Sequence, residues 1–350
     1  MTDEVLFTQE GHLGLITLNR ASALNALTLP MILAIQQQLE AWKTDATVYA
    51  VVLCATSGAA FCAGGDVRWL YEAGKTQNPE QMNFFWHEYR MNHFIHHFGK
   101  PYIALMDGMT MGGGVGVSMH GSHPVASERF VFAMPETGIG FFPDIGASYL
   151  LNRCPDSLGI YLGLTGNRLD AEQALHAGLV KEIVHSEKIP SLIQALSEED
   201  LSDNAHARVT ACLKQFAEQP VAQQEKQTVI HQCFSKPTIE EISSSLKSSE
   251  DPQALGLDKI LSKKSPLSLK VTLAQLQKTK GLTLAQCLKI DYDLVGHFMR
   301  GSDFYEGVRA LLIDKDKNPQ WQPARLESVT EQMVVDTFER SQKELEFIEQ

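Results

Sequence analysis

At 350 residues the chain can form one large domain or two of ordinary size, and its 44% hydrophobic and 21% charged content is that of a folded globular protein. Thirty basic against 42 acidic residues leave a formal charge of −12, which argues against the basic face a nucleic acid needs but still allows an anionic small ligand held by a few cations and N–H groups. No apolar run reaches the roughly 18 residues of a membrane span, the MTDEVLF start reads as neither a signal nor a transit peptide, and six scattered cysteines without a CxxC pair fit a reducing cytoplasm, with Cys54 and Cys154 expected as buried free thiols.

In chain order, HLGLITLN (His12 to Asn19) has the pattern of a strand. Thr28 then precedes a helix with Pro30 in its first turn, and Leu29, Ile32, Ile35, Leu39 and Trp42 recur at helical spacing. Tyr49 to Thr56 and Pro101 to Met106 are continuous apolar runs short enough for buried strands. Strands apolar on both faces and separated by helices predict an α/β fold with a largely parallel, helix-covered sheet. Beyond Val184 the character changes. Ser197 to Ala207 is a polar connector, and KPTIEEI, SPLSLKVTLAQLQ and LAQCLKIDYDLVGHFM read as helices. The predicted plan is a core over residues 1–195 and a helical region over 196–350.

Three stretches can carry chemistry. In AFCAGGDVRWL a strand feeds Gly64 and Gly65, and Asp66 is placed to cap the next helix. Alone, this is more often a tight turn than a site. In MTMGGGVGVSMHG glycines again follow a strand and open a helix, exposing N–H groups backed by the helix dipole. That suits an oxyanion donor or a phosphate cradle, although neither a Walker A loop nor a dinucleotide fingerprint is present. The later glycines, Gly114 and Gly116, fit close helix–sheet packing. In FAMPETGIGFFPDIGASYLL, Glu136 and Asp144 lie among aromatic and aliphatic residues, where desolvation raises proton affinity as acid/base work requires. Asp144 is also a credible helix N-cap. Two N–H donors and a carboxylate suit a thioester, whose carbonyl oxygen gains charge in an enolate or a tetrahedral intermediate alike. Three histidines cluster at His93, His96 and His97, but on a helix they cannot all face one ion, so no metal site is expected.

Taken in order, LNRASALNALT, AFCAGGD, MGGGVG and AMPETGIGFFPDIG resemble the crotonase (enoyl-CoA hydratase/isomerase) superfamily. The resemblance implies a spiral of stacked ββα turns, an acyl-CoA thioester as partner, no cofactor beyond the CoA of the substrate, and a homo-oligomer. It places the oxyanion hole at the N–H groups of Gly65 and Gly113, and substrate contacts at Ala23, Leu24 and Asp66. Hydratases of the superfamily resemble one another in two glutamates. One matches Glu136, but the other falls on Gly116, which cannot transfer a proton. MPET followed by FPDIG, with a matching C-terminal stretch to about residue 340, instead resembles the superfamily's thioester hydrolases. That implies hydrolysis of a short 3-hydroxyacyl-CoA, 3-hydroxyisobutyryl-CoA of valine breakdown above all, with Glu136 and Asp144 catalytic. In that group a glutamate before a tyrosine contacts substrate, and HEYRMN offers Glu88, otherwise a solvated helix charge. A lysine common near the CoA nucleotide is Ser22 here. The alternatives are an enoyl-CoA isomerase or hydratase on the same scaffold, or a non-catalytic acyl-CoA-binding subunit.

Overall fold

The computed structural model describes residues 3–56, 58, 60–219, 228–340 and 342–348; Met1 and Thr2 of the MTDEVLF start lie outside them. The chain opens with a hairpin, β1 (Val5–Glu10) and β2 (Leu13–Leu18), and then enters α1 (Leu29–Thr44), whose cap Thr28 accepts the Met31 N–H. Three strand–strand–helix turns follow. They comprise β3 (Ala50–Ala55), β4 (Ala60–Cys62) and α2 (Val67–Lys75); then, after α3 (Glu80–His96), β5 (Tyr102–Met106), β6 (Met109–Met111) and α4 (Gly113–Met119); then β7 (His123–Ala126), β8 (Val131–Ala133) and α5 (Ala147–Leu151). The first strand of each turn enters one sheet and the second enters another.

The larger sheet has the order β1-β2-β3-β5-β7-β10, with β10 at Glu182–Ile183, and is parallel apart from the opening hairpin. The smaller has the order β4-β6-β8-β9, with β9 at Leu169–Asp170, and only its β8–β9 edge is antiparallel. Parallel strands covered on both faces require apolar residues throughout, and β3 and β5 supply them with Val51, Val52, Leu53, Ile103, Ala104 and Leu105, all buried. The predicted strands and α1 thus appear within a residue or two of their expected ends. Strands the sequence reading did not place are β1, whose residues after Val5 are largely exposed, and the short β7, β8, β9 and β10.

Helices α6 (Leu158–Thr165) and α7 (Ala171–His176) alternate with β9 and β10, and beyond β10 the described regular elements are helices: α8 (Ile189–Glu198), α9 (Ala205–Phe216), α10 (Thr228–Phe234), α11 (Ile239–Ser248), α12 (Ala254–Leu261), α13 (Pro266–Lys278), α14 (Leu284–Phe298), α15 (Asp303–Val308) and α16 (Glu331–Thr337). These helices do not form one separate body. Leu192 and Leu196 of α8 and Val209 and Leu213 of α9 pack with Val52 and Ile103 of the larger sheet. Val271 and Leu276 of α13 and Leu288 and Val295 of α14 enter the same core as Phe85, Phe132 and Phe142. The helical region therefore closes over the core instead of standing beside it. All six cysteines are unpaired; Cys154 is buried as expected, whereas Cys54 is only half-buried because it sits at the end of β3. Among the described residues no helix is long and apolar enough to cross a membrane.

Gly114 and Gly116 let α4 lie close to its neighbours. A Cβ at position 114 would fall 2.3 Å from the Cys62 carbonyl oxygen of β4, and one at 116 would fall 2.7 Å from the Asn92 Nδ2 of α3. The first neighbour is backbone and cannot swing away. Gly114→Ala is expected to destabilise the fold by about 1–3 kcal/mol through overpacking, measured as a lower denaturant midpoint at unchanged slope.

Candidate active site

The smaller sheet positions the site. β4, β6 and β8 run side by side in the same direction, with Cys62 paired to Thr110 and Met111 to Ala133. Each strand ends within two or three residues of one predicted site residue: Gly65 after β4, Gly113 after β6 and Glu136 after β8. Three turns distant in sequence are thereby brought together at the carboxyl ends of parallel strands, where open α/β sheets bind ligands.

Glycine is required at these turns. Gly64 has φ +115° and Gly112 has φ +46° with ψ −123°, conformations closed to most L-residues. A Cβ on Gly113 would lie 3.2 Å from the Gly65 nitrogen and 2.4 Å from Glu88 Oε1. The two amides are therefore neighbours, with a carboxylate beside them. Among the described residues neither N–H donates to a protein acceptor. Glu136 reaches the same place, since its Oε1 would be 3.1 Å from a Cβ on Gly112.

The carboxylates are buried. Glu88 is 2% exposed, and Glu136 and Asp144 are each 6% exposed. Glu88 faces inward from α3 and is not a solvated helix charge. Neither acid of the third stretch serves as a cap: the turn at Glu136–Ile139 and the helix α5 have no side-chain cap, and α5 begins after Gly146. Asp144 Oδ2 instead accepts the Tyr89 hydroxyl at 2.5 Å. Glu88 Oε1 and Glu136 Oε2 are buried without a hydrogen-bond partner, and such orphaned acceptors call for explanation.

Crowding acids out of water raises their proton affinity. Burial first, and then the charges of Asp144 and Glu136, raise the pKa of Glu88 well above the carboxylate range. Burial and then Asp144 do the same to Glu136, opposed by its own backbone N–H and by Lys264. Burial lifts Asp144 to about 7, against the pull of the Tyr89 hydroxyl and its own backbone. Lys264, just before α13, is the cation that acts on Glu136; a Cβ on Gly138 would lie 3.2 Å from its Nζ. Desolvation lowers the pKa of this lysine while Glu136 raises it.

The remaining predicted contacts flank the Gly65 turn. Ala23 ends a short 3₁₀ turn, and Leu24, 42% exposed with φ 54°, accepts the Ala63 N–H through its carbonyl at 3.0 Å. Asp66 is already engaged: it caps α2 by accepting the Trp69 N–H at 3.1 Å and pairs with Arg20 at 2.8 Å. Arg20 also holds Glu4, and Arg68 donates to the Leu312 carbonyl. Sequence reading did not find Tyr89, Lys264, His120, Gln275 or Asp291 as parts of this neighbourhood. Tyr89 follows Glu88 directly and His120 ends the second glycine-rich stretch, so both were within reach; the rest come from segments with no chemical signature of their own. Of the histidine cluster, His93 stacks on Phe347, while His96 turns its ring edge toward Tyr149 and His120.

Residues 13–338 match the family described as Enoyl-CoA hydratase/isomerase. The chain is 44% identical over 342 residues to 3-hydroxyisobutyryl-CoA hydrolase, mitochondrial, of Danio rerio, covering 96% of this chain and 89% of that one. It is 43% identical to the Homo sapiens protein of the same name, over 94% and 87% of the two chains. Among solved structures it superposes on a carnitinyl-CoA dehydratase from Mycobacterium thermoresistibile with a TM-score of 0.92 at 36% identity, over 99% of both chains. It superposes on an enoyl-CoA hydratase from Rhodobacter sphaeroides 2.4.1 with a TM-score of 0.87 at 35% identity, over 96% of this chain and 97% of that one.

Asp144 sets the sign of one pH effect. Its pKa is 3.8 in an ordinary environment and about 7 when folded, so its stabilising contribution is complete below the lower value and is lost as pH rises through the higher one. Asp144→Asn removes this loss. Its unfolding temperature is expected to gain on the parent's as pH rises from about 4 to about 8, as followed by thermal melts across that range.

Proposed function

Because the chain belongs to the enoyl-CoA hydratase/isomerase family, the α/β spiral expected for that family included, we propose that it hydrolyses a short 3-hydroxyacyl-CoA thioester, 3-hydroxyisobutyryl-CoA first among them, to the free 3-hydroxy acid and CoA. The observation that carries this reading is the origin of the second carboxylate. Water addition by two glutamates needs one at position 116, where Gly116 is packed against Asn92. The acid beside the oxyanion turn is Glu88, which arrives from α3. The relatives at 42–44% identity carry the hydrolase name, and this supports the same choice over the dehydratase and hydratase names of the two solved structures.

In the proposed reaction the thioester oxygen lies against the N–H groups of Gly65 and Gly113, which stabilise the charge it develops. Glu136 either attacks the carbonyl carbon, expelling the CoA thiolate and leaving an anhydride that water then opens, or takes a proton from the water that attacks. Asp144, with its proton affinity near neutrality, returns a proton to the departing sulfur or holds the 3-hydroxyl, and Glu88 binds the substrate. Ala23 and Leu24 offer backbone to the CoA adenine, while Asp66 acts through its cap and its ion pair. No step needs a metal or a cofactor other than the CoA of the substrate. We further assign a homo-oligomer and a reducing compartment, the cytoplasm; the relatives are named mitochondrial, and fractionation separates the two locations.

Free thiol is expected when the protein is given 3-hydroxyisobutyryl-CoA, and Glu136→Gln is expected to lower its release by roughly 10²–10⁴-fold. A shifted double bond without free thiol would instead establish an isomerase, and tight binding without turnover a carrier. Full activity in the Gln variant would remove Glu136 from the reaction.

A further inference from the structure

We infer that Asp291 is a positioning residue which, from α14 in the helical region, fixes the turn bearing Asp144 and thereby the place of that carboxylate. The inference rests on the reaction proposed above. The 143–146 turn is held at every residue. The Pro143 carbonyl accepts from Gln275 Nε2 at 3.0 Å, and the Ile145 carbonyl accepts from His120 Nε2 at 2.7 Å. Asp144 accepts the Ala147 N–H through its own carbonyl at 2.8 Å and the Tyr89 hydroxyl through its side chain at 2.5 Å. The Gly146 N–H donates to Asp291 Oδ2 at 2.8 Å, and Gln275 Nε2 closes the ring by donating to Asp291 Oδ1 at 2.7 Å.

This clamp holds an unfavourable backbone. Ile145 and Gly146 have φ 56° and 74°. A β-branched residue in the left-handed region is strained, and it persists only where its surroundings over-determine it. The clamp also connects the two halves of the site, because α4 begins at Gly113 and is followed at once by His120. Burial lowers the pKa of His120 to about 4, so it stays neutral and donates through one nitrogen only.

Asp291 is 0% exposed, and each of its oxygens receives an N–H. A buried carboxylate of this kind costs stability that an apolar side chain would not. Burial first, and then the charge of Asp144, raise the proton affinity of Asp291, while the Gly146 N–H and Gln275 oppose the rise. The other ionisable groups around the pair are Glu88 and Tyr89 of α3, Glu136, His120, and Cys287 on α14 itself, with Arg153 acting on the last two. Among these facing groups, Arg153 is the cation, and it does not pair with either aspartate.

Thiol release from 3-hydroxyisobutyryl-CoA, measured against pH for Asp291→Asn, Asp291→Leu and Asp144→Asn, tests the inference. Asp291→Asn keeps an acceptor for Gly146 and loses the one that Gln275 uses. The inflection belonging to Asp144 is expected to move, with kcat falling and KM little changed. Asp291→Leu removes the acceptor as well, and kcat is expected to fall by roughly 10–100-fold, a loss that the Asn variant partly recovers. If Asp144→Asn is impaired while Asp291→Asn keeps the parent's kcat and inflection, the inference is overturned and the site reading stands; this comparison decides even if the Leu variant does not fold. If Asp144→Asn keeps full activity, the site reading itself fails.

Discussion

The parallel pairing of β4, β6 and β8 is the constraint on which the rest of this molecule depends. Strands hydrogen-bonded side by side in one direction must release their chains at the same edge. Two glycine turns and a glutamate, separated by dozens of residues, therefore meet without any of them having to attract the others. The glycines then permit what the pairing demands. At Gly64 and Gly112 the backbone takes conformations a side chain would oppose, and at Gly113 it leaves room for Glu88. Helices α1 and α3, the larger sheet and the helical region keep this small sheet dry and in register.

That dryness has a cost, which falls on the acids. Glu88, Glu136, Asp144 and Asp291 are all buried within one neighbourhood, and the nearest cation acting on any of them is Lys264, opposite Glu136. Burial and like charge both oppose ionisation, so these acids hold their protons more tightly than free carboxylates do. A buried carboxylate holds its place when its turn is anchored from several sides, and here the anchors come from α3, the end of α4, α13 and α14.

The helical second half is thus part of the site. Leu276, Leu288 and Val295 share the main core with the residues of the first half, and Gln275 and Asp291 project from the same helices toward the Asp144 turn. A segment that reads as an independent α-helical region supplies both a lid on the core and polar anchors for the chemistry.

Elements with strong local signals are legible in the amino-acid sequence. Continuous apolar runs mark β3 and β5, Thr28 with Pro30 marks the start of α1, and glycines placed directly after strands mark the two amide turns, because each of these depends on near neighbours in the chain. Glu136 and Asp144 stand out for a similar reason, as acids in an apolar stretch. Whether Glu88 faces solvent or interior is not legible, since the answer lies in what packs on α3; nor are Asp291 and Gln275, whose partners are 145 and 132 residues away. The sequence by itself determined which residues could do chemistry and how each local turn was shaped, since these follow from side-chain type and backbone freedom. Only the tertiary structure decided which carboxylates share one space, which are orphaned and which are anchored, because burial and like-charge proximity are properties of the assembled core.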